Sequence, residues 1–142
     1  MKKLLIVLFA SGAVSLTASA QKVDASKVPA SVKKSFTEQF PGATGKWEME
    51  KGNYEAGFKH QGKVMSALFD ANGTMTESEI AIKESGLPTA VNDYLKKHYK
   101  GAKIKEAAKI TKADGEMNYE AEVNGKDLLF DANGNFLTEV KA

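Results

Sequence analysis

Apolar residues recur at every fourth position in two stretches of the chain, Val28, Val32, Phe36 and Phe40, then Leu87, Val91, Leu95 and Tyr99. One apolar stripe of that period predicts an amphipathic helix lying on a core. Each stretch begins at a proline, Pro29 or Pro88, which a first helical turn tolerates, and the first is closed by Pro41. Beyond each helix the period shortens to two. Trp47 and Met49 alternate with Lys46, Glu48 and Glu50; Tyr54, Ala56 and Phe58 alternate with Glu55, Gly57 and Lys59; Tyr119, Ala121 and Val123 alternate with Glu120 and Glu122. This is the pattern of antiparallel strands with one face on a core.

The two stretches are halves of a repeat. Asn-Tyr-Glu-Ala occurs at residues 53–56 and 118–121, and Leu-Phe-Asp-Ala-Asn-Gly at residues 68–73 and 129–134. The offset between the copies is 59 residues in the helices, 65 at the tetrapeptide and 61 at the hexapeptide, so the insertions fall between elements, where loops absorb them. Turn signals separate the strands: Asn124-Gly125, with Gln61-Gly62 in the equivalent place, and Asn72-Gly73 and Asn133-Gly134, each pair read as tolerating the positive φ of a tight hairpin. The expected architecture is α+β. It comprises two tandem helix-plus-four-strand modules, about residues 27–83 and 86–142, forming an antiparallel sheet with the helices on one face.

The first twenty residues read differently. Lys2-Lys3, the apolar run Leu4 to Ala10 and the ending Ala18-Ser19-Ala20 form a cleavable export signal, with Gln21 as the first mature residue. The apolar run is shorter than the ~20 residues a spanning helix needs, so no stable membrane insertion is expected after cleavage, and the location is periplasmic or secreted. The remaining 122 residues form one domain, 21–142, large enough for a core of its own. That core must suffice, because the chain has no cysteine and therefore no disulfide. Removing Lys2 and Lys3 leaves 18 lysines against 18 acidic residues, so the mature charge is balanced. With no arginine anywhere, the chain lacks the usual bidentate reader of phosphates and guanine edges, and nucleic acid is not an expected partner. Within the second repeat, Lys96, Lys97, Lys100, Lys103, Lys105, Lys109 and Lys112 precede Asp114, Glu116, Glu120, Glu122, Asp127 and Asp131. The plainer account is cross-strand pairing of Lys103, Lys105 and Lys109 with the acidic strand; the other is an anion-binding patch.

The order of a Val-Pro or Leu-Pro entry, an apolar helix, the endings Phe40-Pro41-Gly42-Ala43 and Tyr99-Lys100-Gly101-Ala102, the Tyr-Glu-Ala strand and the Leu-Phe-Asp-Ala-Asn-Gly hairpin resembles the PepSY-like secreted proteins, whose fold is similar to that of the beta-lactamase-inhibitor protein. The resemblance spans nearly the whole mature chain. It implies tandem helix-plus-four-strand modules with a curved sheet and, by analogy, a protein-binding or inhibitory role.

A binding surface is expected on the sheet face away from the helices, at Lys46, Glu48, Glu55, Leu68, Glu120, Glu122 and Leu129. With Phe69 and Phe130 turned inward, this face reads as solvated and poor in the aromatic anchors that carry binding energy, which suits a modest, salt-sensitive contact with a basic protein surface. Enzyme chemistry finds no footing: there is no nucleophile-elbow serine, no glycine-rich phosphate loop and no cysteine. No cofactor or metal is expected. Asp70-Ala71-Asn72-Gly73 matches only the first half of a calcium loop, and His60 and His98 have no ligand spacing. Two alternatives remain, a small-ligand or lipid carrier with a cavity lined by Trp47, Tyr54 and Phe58, and a structural component of the envelope.

Overall fold

The computed structural model describes residues 20–142, so all of the expected export signal except Ala20 lies outside the described residues. The architecture of these residues is α+β, with nine strands and two α-helices among them. The described residues divide into two compact units, 20–78 and 79–142.

In the first unit a short strand, β1 (Gln21–Val23), leads through a single 3-10 turn to helix α1 (Ala30–Gln39). Strands β2 (Lys46–Glu50), β3 (Asn53–His60) and β4 (Lys63–Phe69) follow, and β5 (Met75–Ile82) begins here and ends in the second unit. β1 is an addition to the expected strands; it pairs antiparallel with β2, placing Lys22 opposite Glu48. The β2–β3 and β3–β4 ladders are antiparallel as well.

The helix forms where the four-residue stripe predicts it. Val28, Val32, Phe36 and Phe40 are buried against Trp47, Ala56, Phe58, Ala67 and Phe69. Phe36 is the centre of this cluster, with its ring 5.0 Å from Phe58, 5.3 Å from Trp47 and 5.7 Å from Phe40. Burial of side chains this large contributes roughly 1.5–3 kcal/mol each before entropy is counted. The helix stops at Phe40, whose N–H still donates to the Phe36 carbonyl (2.9 Å), and the chain reverses at Gly42 with φ 78°.

The second unit follows the same plan. Helix α2 (Thr89–His98) is followed by β6 (Glu106–Lys112), β7 (Met117–Val123), β8 (Lys126–Asp131) and β9 (Phe136–Lys141), paired antiparallel in that order. Leu87, Val91 and Leu95 pack on Ala107, Ala121, Val123, Leu128 and Phe130, and Tyr94 stacks on Phe136 with centroids 4.7 Å apart. Tyr99 donates its N–H to the Leu95 carbonyl (2.8 Å) and Gly101 turns the chain with φ 73°, repeating the ending of α1. Leu137 is left without a cross-strand partner between Phe136 and Thr138, a bulge.

The hairpin turns are of two kinds. Gln61-Gly62 and Asn124-Gly125 have positive φ at both residues, as expected, and so does Lys51-Gly52. Asn72-Gly73 and Asn133-Gly134 do not: only the glycine is left-handed, at φ 86° in each. The reason is the preceding aspartate. Asp70 Oδ1 accepts from the N–H groups of Asn72 (2.9 Å) and Thr74 (3.0 Å), and Asp131 Oδ1 from those of Asn133 and Asn135 (both 2.9 Å), which holds the asparagine in an ordinary turn conformation.

Candidate sheet-face binding site

Strand alternation assigns the expected site residues to the side of each unit's strands opposite its helix, while Phe69 and Phe130 lie in the helix-side cores as expected. In the first unit Glu55 faces Leu68 across the β3–β4 ladder, and in the second Glu120 faces Leu129 across β7–β8. The same pair thus recurs in both copies of the repeat.

These positions are not solvated, contrary to the reading of the alternation. Leu68 and Leu129 are each 1% exposed, Glu55 and Glu120 each 7%, and Glu122 9%. Of the seven residues only Lys46 is exposed, and Glu48 is half-buried. The physical signal was present in β4 and β8, where Ala67-Leu68-Phe69 and Leu128-Leu129-Phe130 interrupt the alternation with continuous apolar runs. A strand buried on both faces reads that way. Four consecutive residues are buried in each strand, Ser66 to Phe69 and Asp127 to Phe130. Glu77 and Glu79 of β5, which drew no attention in the sequence, are buried too.

The solvent-accessible part of the face in the first unit lies at the other end of its strands. Lys59 is opposite Val64 in the β3–β4 ladder, and Lys46 is opposite Gly57 in β2–β3. Lys46 and Lys59 are exposed, as is Val64 at 38%, one of only two large exposed hydrophobic residues among those described. A Cβ built on Gly57 meets nothing nearer than 4.0 Å, so the surface between these side chains is open.

In the second unit the same face carries carboxylates on three strands. Glu122 lies opposite Glu106 on one side and Asp127 on the other. Lys105 makes an ion pair with Glu122 through its side chain, and its N–H donates to the Glu122 carbonyl (2.8 Å). The hydrogen bond to Glu122 holds the Lys105 ammonium above its ordinary pKa. Asp127 is buried, and among the described residues no cation is hydrogen-bonded to it. Burial first, then the negative charges of Glu122 and Glu106, push its carboxyl up to about 6, against the opposing charge of Lys105. Of the three lysines expected to pair across strands only Lys105 does so; among the described residues no ion pair involves Lys103 or Lys109.

Other candidate chemistry is absorbed by structure. The Asp131 carboxylate accepts from the side-chain amide of Asn135 (2.9 Å) besides its two backbone donors, and these bonds depress its pKa. The aspartates that begin the half-matched calcium loops are therefore turn-forming groups. His60 lies 5.8 Å from the Phe40 ring, and exposed His98 packs on Tyr94 at 4.3 Å. Among the described residues no group of three His, Cys, Asp or Glu is arranged to hold a metal ion. Trp47 and Phe58 fill the space between helix and sheet, while Tyr54 lines a shallow groove of about 340 Å³ with Gln21, Lys22, Val23, Asp24, Lys27 and Met49.

The family described as "Putative beta-lactamase-inhibitor-like, PepSY-like" matches the chain twice, over residues 14–65 and 52–138. The chain belongs to this PepSY-like family. The two matches overlap over residues 52–65. No curated protein sequence is significantly similar to the chain. Among solved structures, one from Bacteroides eggerthii, described as a putative periplasmic protein, is similar with a TM-score of 0.72 at 17% identity, covering 80% of this chain and 88% of that one. A DUF2874 family protein from Bacteroides uniformis gives 0.70 at 18% identity, with 80% and 88% covered. A BLIP-like protein from Bacteroides fragilis gives 0.60 at 23% identity, with 80% and 86% covered. At these identities the likeness is one of fold. Among the described residues of this PepSY-like chain, no helix is long and apolar enough to cross a membrane.

Proposed function

We propose that this PepSY-like protein is an exported, non-catalytic protein-binding module of the periplasm that engages its partner through the face of its first unit's strands turned away from α1. The observation that carries the reading is Val64, exposed on that face beside Lys59 and near the end of the strands that also carries Lys46. An exposed β-branched residue flanked by cations offers apolar area and charge together, the combination a polar-rimmed protein contact uses. The buried members of the expected site, Glu55, Leu68, Glu120, Glu122 and Leu129, then each shape the face of their own unit rather than touch a partner. The fitting partner surface offers carboxylates to Lys46 and Lys59 and an apolar side chain to Val64, the reverse of the basic surface expected from the glutamates. The family's inhibitor-like description and the BLIP-like neighbour support a protein partner. The periplasmic description of the Bacteroides eggerthii protein supports the location, in keeping with the export signal in the sequence.

A lipid or small-ligand carrier is less well supported. Trp47 and Phe58, which would line its cavity, contact Phe36 in a filled core. The deciding experiment is affinity capture from the native envelope with the exported protein and with a Lys46→Glu, Val64→Asp double variant of unchanged melting temperature. A partner retained by the first and lost by the second is expected. Equal capture by both would exclude this face, and lipid that stays bound through a high-salt wash would favour the carrier.

A further inference from the structure

The last turn of α2 and the turn after it carry Lys96, Lys97, His98, Lys100 and Lys103, all exposed. No acidic residue occurs between Asp93 and Glu106. Among the described residues none of the four lysines is in an ion pair, in contrast to Lys105, Lys112 and Lys126, which are paired with Glu122, Glu116 and Glu139. The helix end itself favours cations, since its carbonyl dipoles are negative there, but one or two would complement it.

The repeat supplies an internal control. At the 59-residue offset, Lys96, Lys97, His98, Lys100 and Lys103 correspond to Thr37, Glu38, Gln39, Pro41 and Thr44. The first unit builds the same helix ending without any of these cations. Its own helix lysines, Lys33 and Lys34, lie a turn earlier, and Lys34 is 3.6 Å from Glu38. The fold therefore does not require the basic cluster of α2.

We propose that this cluster docks the protein peripherally on an anionic phospholipid surface. A partner protein would need anchors in the patch. The apolar residues of the segment are turned inward instead: Leu95 is buried, and Tyr94, Tyr99 and Ile104 are packed against the helix-side core, with the Tyr99 hydroxyl hydrogen-bonded to Glu139. What faces solvent is charge on long flexible stems. Lysine is a compact, strongly hydrated point charge, suited to a fluid array of headgroup phosphates, whereas a discrete carboxylate or phosphate site favours arginine's planar fork. Adsorption requires no insertion, in keeping with the lack of a spanning helix among the described residues. Most acidic residues of this unit, from Glu106 to Glu139, follow the cluster in the chain, and the one on α2, Asp93, precedes it.

The test is sedimentation of the exported, processed protein with phosphatidylcholine vesicles, with or without about one part in three phosphatidylglycerol, where each lysine near an anionic surface raises partitioning roughly fivefold. Adsorption to the anionic vesicles alone is expected, lost in about half-molar salt where the screening length falls to a few ångströms. The Lys96→Gln, Lys97→Gln, Lys100→Gln, Lys103→Gln variant, folded by its melting curve, should partition at least a hundredfold more weakly, by the same roughly fivefold step per lysine. The four corresponding Lys→Arg substitutions should retain adsorption, as should Lys33→Gln with Lys34→Gln. Absence of adsorption by the unaltered protein at low salt, or equal adsorption by the quadruple Gln variant, overturns the proposal. Tighter association with polyglutamate than with the vesicles also overturns it, by assigning the patch to an acidic protein.

Discussion

A Cβ atom built on Gly73 would lie 2.6 Å from the carbonyl oxygen of Ser31, at the start of α1. The hairpin turn at the end of β4 is thus seated directly on the helix N-terminus, and the Ser31 hydroxyl donates to the Ala71 carbonyl (3.3 Å) in the same contact. The second unit repeats the arrangement: a Cβ on Gly134 would be 2.9 Å from Ala90 Cβ and 3.0 Å from Pro88 Cβ. Both glycines are left-handed as well. The identical hexapeptides are accounted for by two demands at once, an aspartate that organises the turn and a glycine that lets the turn touch the helix.

Replacing either glycine by alanine should therefore cost about 2–4 kcal/mol, from the left-handed backbone and the collision together. Gly125→Ala is the comparison, with φ 74° but no atom within 4 Å of the added carbon, and should cost only about 1–2 kcal/mol. Urea melts of the three variants check this. Equal losses at Gly73 and Gly125 would mean that the turn does not press on α1.

The helix stripes give a second expectation. Phe36→Ala and Leu95→Ala remove equivalent buried residues and should each destabilise by about 2–5 kcal/mol, the larger loss at Phe36 because four aromatic neighbours surround it. His98→Ala, at an exposed ring, should stay within about 0.5 kcal/mol. Silent substitutions at Phe36 and Leu95 in denaturant titrations would contradict the assigned helix faces.

Much of this fold was legible because periodicity records which side of an element a residue takes. Val32, Val91 and Trp47 were identifiable as core from spacing alone. Depth on the opposite side was not, because alternation is silent about what covers the second face. Leu68 and Glu55 therefore read as wet although both are buried; only the unbroken runs Ala67-Leu68-Phe69 and Leu128-Leu129-Phe130 pointed the other way. The candidate site fared worse than the fold for that reason. Val64 and Lys59, its exposed neighbours, sit at the quiet end of the same strands and carry no motif. β1 was missed because three residues, Gln21–Val23, are too few to show a period.

Export processing can be checked directly. Ala18 and Ala20 supply the small side chains a signal peptidase requires, so the intact mass of exported protein should correspond to a chain beginning at Gln21. A mass that includes Met1 to Ala20 would remove the basis for the proposed location.

Asp127 predicts an unusual pH dependence. Its pKa is about 6 in the folded protein, raised by burial and then by Glu122 on β7 and Glu106 on β6, while Lys105 opposes the shift and the β9 residue across the ladder, Val140, brings no charge. An unfolded aspartate titrates near 3.9, so the folded state binds this proton more tightly. The contribution is favourable below about pH 4 and disappears as pH rises through about 6, leaving an ionised carboxylate among like charges at neutrality. Most carboxylates act in the opposite sense; Glu139, held below its ordinary value by Lys126 and Tyr99, supports the fold at neutral pH and loses that support on acidification. Asp127→Asn removes the ionisable group but keeps its shape. It should stabilise the protein at pH 8 by about 1–3 kcal/mol and do little at pH 4, with the difference developing between those limits. Chemical denaturation of both proteins across that range measures it, and a gain from Asp127→Asn that is the same at pH 4 and pH 8 would show that the carboxylate's charge is not what the fold resists.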